Sequence, residues 1–121
     1  MLNAILSGVI VSGPRTFFEQ YLPQSLEGED VEALPEDTIV AFHIDGPDGG
    51  AWQLVSDPDG SRILPVEDGP KDCELWCTSD VLMRIVQGTL GSNRAFLSGK
   101  LRIAGDVGLA LRLEGLLRSA A

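Results

Sequence analysis

The fold expected for this chain rests on one stretch of its sequence, "AFLSGKLRIAGDVGLALRLEGLLRS", residues 95–119. This stretch sets a short strand-like run, residues 100–106, before a glycine turn and a helix-like run. Leu101 and Ile103 alternate onto one face of the strand, as in a half-buried β-strand. The helix-like run carries an apolar stripe made of Leu109, Leu113, Leu116 and Leu117. We therefore expect the last helix to cover one face of a β-sheet.

Four further strand patterns precede this stretch. Residues 38–45 (TIVAFHID) alternate apolar and polar side chains, residues 51–57 (AWQLVSD) follow a GPDGG turn, and residues 61–68 (SRILPVED) follow a PDG turn. The fourth pattern is CELWCT, residues 73–78. Because Pro65 has no amide hydrogen to donate, the third strand is expected at an edge of the sheet.

Helical patterns surround these strands. The apolar residues 1–13 predict a first helix that restarts near Pro14, and the acidic residues 24–37 predict a loop or a short helix. Residues 81–88 predict a helix that follows capping side chains and stops at a glycine, and a short helix is expected at 94–97. A chain of 121 residues has the size of a single domain, residues 1–121. The predicted class is α+β, with one mostly antiparallel five-stranded sheet and helices packed on one face.

The charges are distributed unevenly along the chain, whose formal net charge is −9. Between Arg15 and Arg62 there is no basic residue but eleven acidic ones, whereas from Arg84 onward six basic residues face two acidic ones. An acidic chain gains little from phosphate neutralisation, so we expect no nucleic-acid binding. For the same reason we expect at most transient membrane contact.

The two cysteines and the amino terminus bear on where the chain works. Cys73 and Cys77 lie in one strand pattern, about 13 Å apart, which excludes a mutual disulfide and favours small core residues in a reducing compartment. The apolar amino-terminal run is too short to span a bilayer and lacks the basic residues of a secretion signal. We therefore expect a cytoplasmic protein.

Residue patterns typical of catalysis are missing from the sequence. His43, the single histidine, has no nucleophile placed with it. The SGK at residues 98–100 lacks the first glycine and the following Ser or Thr of a phosphate-binding loop. The DPDG at residues 57–60 lacks the spaced carboxylates of a calcium loop. The sequence therefore predicts no enzyme activity, no metal site and no cofactor.

The carboxyl-terminal third resembles the sterol carrier protein type 2 domain, a family of lipid-binding proteins. The run DVLMRIVQGTLGSNRAFLSGKLRIAGDVGLALRLEGLL, residues 80–117, carries the signature that closes this domain. The matching residues are Ala95, Phe96, Gly99, Lys100, Leu101, Ile103, Gly105, Asp106, Gly108, Leu109, Ala110 and Leu113. A weaker pattern before the signature also fits, so the resemblance covers residues 38–117 best.

The resemblance implies strand order 3-2-1-4-5 and an apolar tunnel between the sheet and the helices. It implies non-catalytic binding of a hydrophobic ligand (a fatty acid, an acyl-CoA, a sterol or an isoprenoid-like lipid) and carriage or presentation of that ligand to a separate partner enzyme. The candidate ligand-binding residues are Trp52, Leu54, Trp76, Leu82, Ile85, Val86, Phe96, Leu97, Ser98, Leu101, Ile103, Leu109 and Leu113.

Two alternatives stay open on the sequence. A solid core would show the same apolar periodicities, because a pattern of residues does not reveal a cavity. The chain is otherwise an acidic interaction module or accessory subunit without lipid cargo. In that case Glu27, Glu29, Asp30 and Glu32 would dock a basic partner.

Overall fold

Five strands form one mixed sheet in the order β3-β2-β1-β4-β5 in a computed structural model that describes residues 13–26, 35, 37–58 and 60–119. The helix expected over residues 1–13, except for residue 13 itself, and most of the acidic stretch lie outside these residues. The strands are β1 (Thr38–Asp45), β2 (Gly50–Asp57), β3 (Gly60–Pro65), β4 (Cys73–Thr78) and β5 (Arg102–Gly105).

Three of the four strand pairings are antiparallel, and the central pairing of β1 with β4 is parallel. The register places Phe42 between Trp52 on one side and Leu75 on the other. Pro65 lies in β3, which is an edge strand, as its missing donor requires. The predicted α+β class and strand order are confirmed.

Four helical segments accompany the sheet within the described residues. They are α1, made of Pro14–Thr16, a π-helical turn Phe17–Tyr21 and Leu22–Leu26; α2 (Ser79–Val86); α3 (Ser92–Leu97); and α4 (Val107–Ser119). Helix α2 begins two residues earlier than its apolar pattern because Thr78 is the N-cap, whose side chain accepts a hydrogen bond from the Val81 amide at 3.3 Å. Gly88 follows the helix with a φ of +82°.

The core lies between these helices and one face of the sheet. Phe18 of α1 is fully buried and stacks on Trp52, with ring centroids 4.6 Å apart and planes 19° apart. It also contacts Phe42, whose ring centroid lies 5.0 Å away. Burying one such side chain stabilises the fold by about 1.5–3 kcal/mol. The other face of the sheet carries Trp76 and His43, whose rings stack with their centroids 5.0 Å apart.

The turn from β5 into α4 explains the glycine in the opening stretch. Gly105 has a φ of +91°, and a Cβ there would lie 2.4 Å from the Asp72 carbonyl oxygen. That oxygen accepts a hydrogen bond from the Asp106 amide at 3.0 Å, and the Asp106 carboxylate accepts one from Leu109 at 3.0 Å. The close backbone approach requires glycine, and the aspartate caps the helix that it begins.

Strand β5 is shorter than its sequence pattern. The amides of Lys100 and Leu101 donate to the Ala95 carbonyl oxygen at 2.9 and 3.1 Å, which closes the end of α3. Because these donors are used by the helix terminus, they do not enter the sheet ladder. The strand therefore starts at Arg102.

Candidate functional site

An apolar cavity of about 20 Å³ lies between the sheet and the helices. A cavity of this size holds about one water molecule. The side chains that line it come from both layers: Phe42, Ile44, Leu75, Cys77, Leu82, Ile85, Ser92, Leu101, Ala110, Glu114 and Leu117. The two layers therefore leave little unfilled space among these side chains.

The floor of the cavity is set by the parallel pairing of β1 and β4. The register places Phe42 beside Leu75 and Ile44 beside Cys77, so four apolar side chains form one patch. Successive residues of a strand point to opposite faces, so only alternate positions of each strand reach this patch. The floor is thus fixed by backbone hydrogen bonds.

Helices α2 and α4 form the roof of the cavity. Leu82 and Ile85 of α2 are three residues apart and share one helix face, and both are buried. On α4, Ala110 and Leu117 contribute, and the small Ala110 side chain occupies the position where a larger residue would fill the space. The roof is held by side-chain packing between helices and not by a backbone ladder.

Two polar residues line this cavity, Glu114 of α4 and Ser92 of α3. Its carboxylate accepts hydrogen bonds from both the hydroxyl and the amide of Ser92, and it pairs with the Arg118 guanidinium at 3.3 Å. The hydrogen bond from the Ser92 side chain is the largest reason why the pKa of Glu114 is lowered, with the Ser92 amide and the Arg118 charge adding to it. The carboxylate is therefore ionised at neutral pH and links α3 to α4.

Both cysteines are free thiols. Cys77 lies in the cavity floor, and burial raises its pKa to about 12. Burial, followed by the charges of Asp106, Glu74 and Asp72, raises the pKa of Cys73 to about 11. Both are therefore protonated at neutral pH, and the Cys77 thiol lines the cavity as a small, weakly polar group.

Three of the candidate ligand-binding residues line the cavity: Leu82, Ile85 and Leu101. Seven others belong to the surrounding core. Trp52, Leu54, Val86, Leu109 and Leu113 are buried in it, and Phe96 and Ile103 are partly buried against it.

The remaining three candidates lie away from the cavity. Trp76 points to the other sheet face because it follows the inward Leu75, and the Arg102 guanidinium lies 5.6 Å from its ring centroid. Leu97 is the last residue of α3 and is 76% exposed, and Ser98 follows it at the exposed helix end. The sequence CELWCT indicates this arrangement, because alternation along a strand places Leu75 and Cys77 on one face of the sheet and Trp76 on the other.

Eight lining residues are not among the candidates: Phe42, Ile44, Leu75, Cys77, Ser92, Ala110, Glu114 and Leu117. The sequence predicts the inward orientation of the first four, because each lies two positions along its strand from another core residue and so shares its face of the sheet. Glu114 is polar and shows no hydrophobic pattern. Its only sequence signal is the spacing of four that puts it on one helix face with Ala110 and Arg118.

Two features concern all of the described residues. Within the described ranges no helix is long and apolar enough to cross a membrane. Among the same residues no group of three or more His, Cys, Asp or Glu side chains is placed to hold a metal ion.

The sequence matches a model of the SCP-2 sterol transfer family over residues 18–118, so the match includes most of α1 as well as the sheet. Hydroxysteroid dehydrogenase-like protein 2 of Mus musculus is 33% identical over 94 residues, which are 77% of this chain and 19% of that protein. Sterol carrier protein 2 of Rattus norvegicus is 38% identical over 81 residues, 64% of this chain and 15% of that protein. The chain thus spans a fifth or less of the length of these two relatives.

A solved structure shares the fold. The solution structure of sterol carrier protein 2 from Aedes aegypti in complex with palmitate, a C16 fatty acid, superposes with a TM-score of 0.64 at 21% sequence identity. The superposition covers 85% of this chain and 92% of that one.

Proposed function

This chain belongs to the SCP-2 sterol transfer family, and we propose that it binds a hydrophobic ligand between its sheet and its helices and carries or presents that ligand without catalysing a reaction. The observation that carries the proposal is the apolar cavity in the layer between β1, β4, α2 and α4. The palmitate in the relative from Aedes aegypti makes a fatty acid the first ligand to test.

The ligand requires more room than the cavity now has. Binding pockets for small organic ligands measure about 300–1,000 Å³, whereas the cavity measures about 20 Å³. The strands of the floor are hydrogen-bonded along their length, so separating them would break a ladder. We infer that α2 and α4 move away from the sheet, because their contacts to it are side-chain contacts that an acyl chain can replace.

The energetics allow this exchange. Burying the methylenes of a C16 chain yields about 12 kcal/mol at about 0.8 kcal/mol each. Association alone costs about 4 kcal/mol at the low end of the usual range, so at most about 8 kcal/mol remains before the cost of opening the helices is subtracted. The dissociation constant is therefore expected to be micromolar or weaker.

Cavity occlusion tests the proposal. We expect the purified chain to take up palmitate, measured by native mass spectrometry and by displacement of a fluorescent fatty acid. Ala110→Leu adds three carbon atoms to the roof and should weaken binding at least about tenfold, since it fills the space that the ligand must enter. The matched control is Gly115→Ala on the same helix, where a Cβ has open space around it, and binding should stay unchanged.

Two outcomes would contradict the proposal. One is a wild-type chain that takes up neither fatty acid, sterol nor acyl-CoA at micromolar protein concentrations. The other is unchanged palmitate affinity in a folded Ala110→Leu variant, because the ligand would then bind elsewhere. The alternative function as an acidic interaction module depends on Glu27, Glu29, Asp30 and Glu32, which lie outside the described residues, and it stays a prediction.

A further inference from the structure

Glu114 brings a negative charge to the wall of an otherwise apolar cavity. Among the described residues that line this cavity, the polar ones are Glu114 and Ser92, and none is basic. The Cys77 thiol is protonated at neutral pH, because burial raises its pKa to about 12. A hydrophobic ligand that enters between these side chains therefore meets one charged group, and that group is a carboxylate.

The Glu114 side chain lies between the cavity and the protein surface. It lines the cavity and is 23% exposed, whereas its partner Ser92 is buried. A lipid buries its hydrocarbon chain and keeps its polar head near polar groups or water, because an unpaired polar group in an apolar environment costs free energy. The head of a bound lipid should therefore lie at Glu114, with its chain among the apolar side chains of the floor and the roof.

The hydrogen bonds of Glu114 leave one acceptor position free for a ligand. Its Oε1 atom accepts from both the hydroxyl and the amide of Ser92, and its Oε2 atom lies 3.3 Å from the Arg118 guanidinium. A carboxylate oxygen accepts about two hydrogen bonds, so Oε2 has room for a second donor. The charge of Arg118 is balanced by Glu114, and the pair offers no excess positive charge to an anion.

We propose that Glu114 selects lipids whose polar head is an uncharged hydrogen-bond donor, such as a long-chain alcohol, over lipids with an anionic head; this selectivity rests on the proposed function. A hydroxyl head donates to Oε2 of Glu114. A fatty-acid carboxylate is ionised at neutral pH, has no hydrogen to donate and faces a like charge at close range. The acid still binds through its chain, but more weakly than an alcohol of the same length.

Competition between palmitate and hexadecanol tests this selectivity, because the two ligands have chains of equal length and differ at the head. Each displaces a fluorescent lipid from the full chain, and the selectivity is the dissociation constant of palmitate divided by that of hexadecanol. We expect a ratio of at least about tenfold for the wild type at neutral pH, since the alcohol gains a hydrogen bond to a charged acceptor. In Glu114→Gln the ratio should fall to about one, because the amide carries no charge and donates to a carboxylate.

Two control variants separate the charge of Glu114 from its structural role. Ser92→Ala weakens the link between α3 and α4 but leaves the carboxylate in place, so the ratio should stay at the wild-type value. Asp80→Asn removes a negative charge from α2, where the Asp80 side chain is 78% exposed, and should also leave the ratio unchanged. A change in the cost of opening the roof alters both dissociation constants alike and cancels in their ratio.

Three results would overturn the proposed selectivity. The wild-type chain binds palmitate as tightly as hexadecanol, Glu114→Gln keeps the wild-type ratio, or one of the control variants lowers the ratio as much as Glu114→Gln. A wild-type chain that binds both ligands equally well refutes the selectivity alone and leaves the proposed function standing. A chain that binds neither ligand refutes both.

Discussion

Glu114→Gln tests the link between α3 and α4. The change keeps the size of the side chain and one acceptor oxygen but removes the charge that Ser92 and Arg118 stabilise. Hydrogen bonds to charged groups contribute about 1.5–3 kcal/mol, against about 0.5–1.5 kcal/mol for neutral ones. With two such bonds from Ser92, we expect the variant to lose about 2 kcal/mol of unfolding free energy at pH 7. For a domain of this size the melting temperature falls by about 8 °C.

The loss must depend on pH in a defined direction. The pKa of Glu114 is lower in the folded chain than in the unfolded chain, where glutamate titrates near about 4.3. Its contribution to stability is therefore complete above about pH 5 and is lost as the pH falls through the folded-state pKa. We expect the difference between wild type and Glu114→Gln to shrink toward zero in strong acid.

The assay is urea unfolding of both chains at pH 7 and at decreasing pH, followed by circular dichroism. Asp80→Asn is the matched control, because Asp80 is 78% exposed and its pairing distance to Arg84 is 3.7 Å. Such a surface pair contributes about 0.5 kcal/mol or less. Two results would refute the reasoning. Glu114→Gln loses no more unfolding free energy than this control at pH 7, or it loses as much unfolding free energy in acid as at neutral pH.

Two further predictions concern the β5 turn and the thiols. Gly105→Ala should lower the free energy of unfolding in urea by at least about 2 kcal/mol, because the positive φ strains any other residue and the new Cβ meets the Asp72 carbonyl oxygen. The control Gly115→Ala should leave that free energy unchanged or raise it. Equal effects of the two substitutions would contradict the argument. Cys73 and Cys77 should react with a thiol reagent at pH 8 at least about tenfold more slowly in the native chain than in urea, because burial raises their pKa values to about 11 and about 12. Equal rates would show that the thiols are accessible.

The sheet could be predicted from the sequence because its signals are local. Alternation places Phe42 and Ile44 on one face, and Pro65 identifies an edge strand. The strand order came from the resemblance to a family, since pairing between distant segments leaves no local signal. The sequence pattern wrongly starts β5 at residue 100 instead of Arg102. Nothing in that pattern shows that the amides of Lys100 and Leu101 close the preceding helix.

The site was less predictable than the sheet. Of the three candidates away from the cavity, Trp76 is on the other face by strand parity, but the exposure of Leu97 depends on how α3 is rotated against α4. Hydrophobicity selects residues for burial and does not say which of them border empty space, because the volume of a cavity depends on packing over all its neighbours. The sequence does not single out Glu114 for a related reason, since its partner Ser92 is twenty-two positions away.

The structure divides the cavity wall into a part that resists opening and a part that does not. The floor belongs to strands whose backbone groups are paired on both sides, whereas the roof depends on side-chain packing and on the Glu114–Ser92 contact. Local opening begins where few backbone hydrogen bonds must break, so the roof opens at lower cost than the floor. Helix α3 is tied to the roof by Ser92, whose hydroxyl and amide donate to the Glu114 carboxylate of α4. Weakening that contact should therefore ease the opening for a ligand without disturbing the strands of the floor.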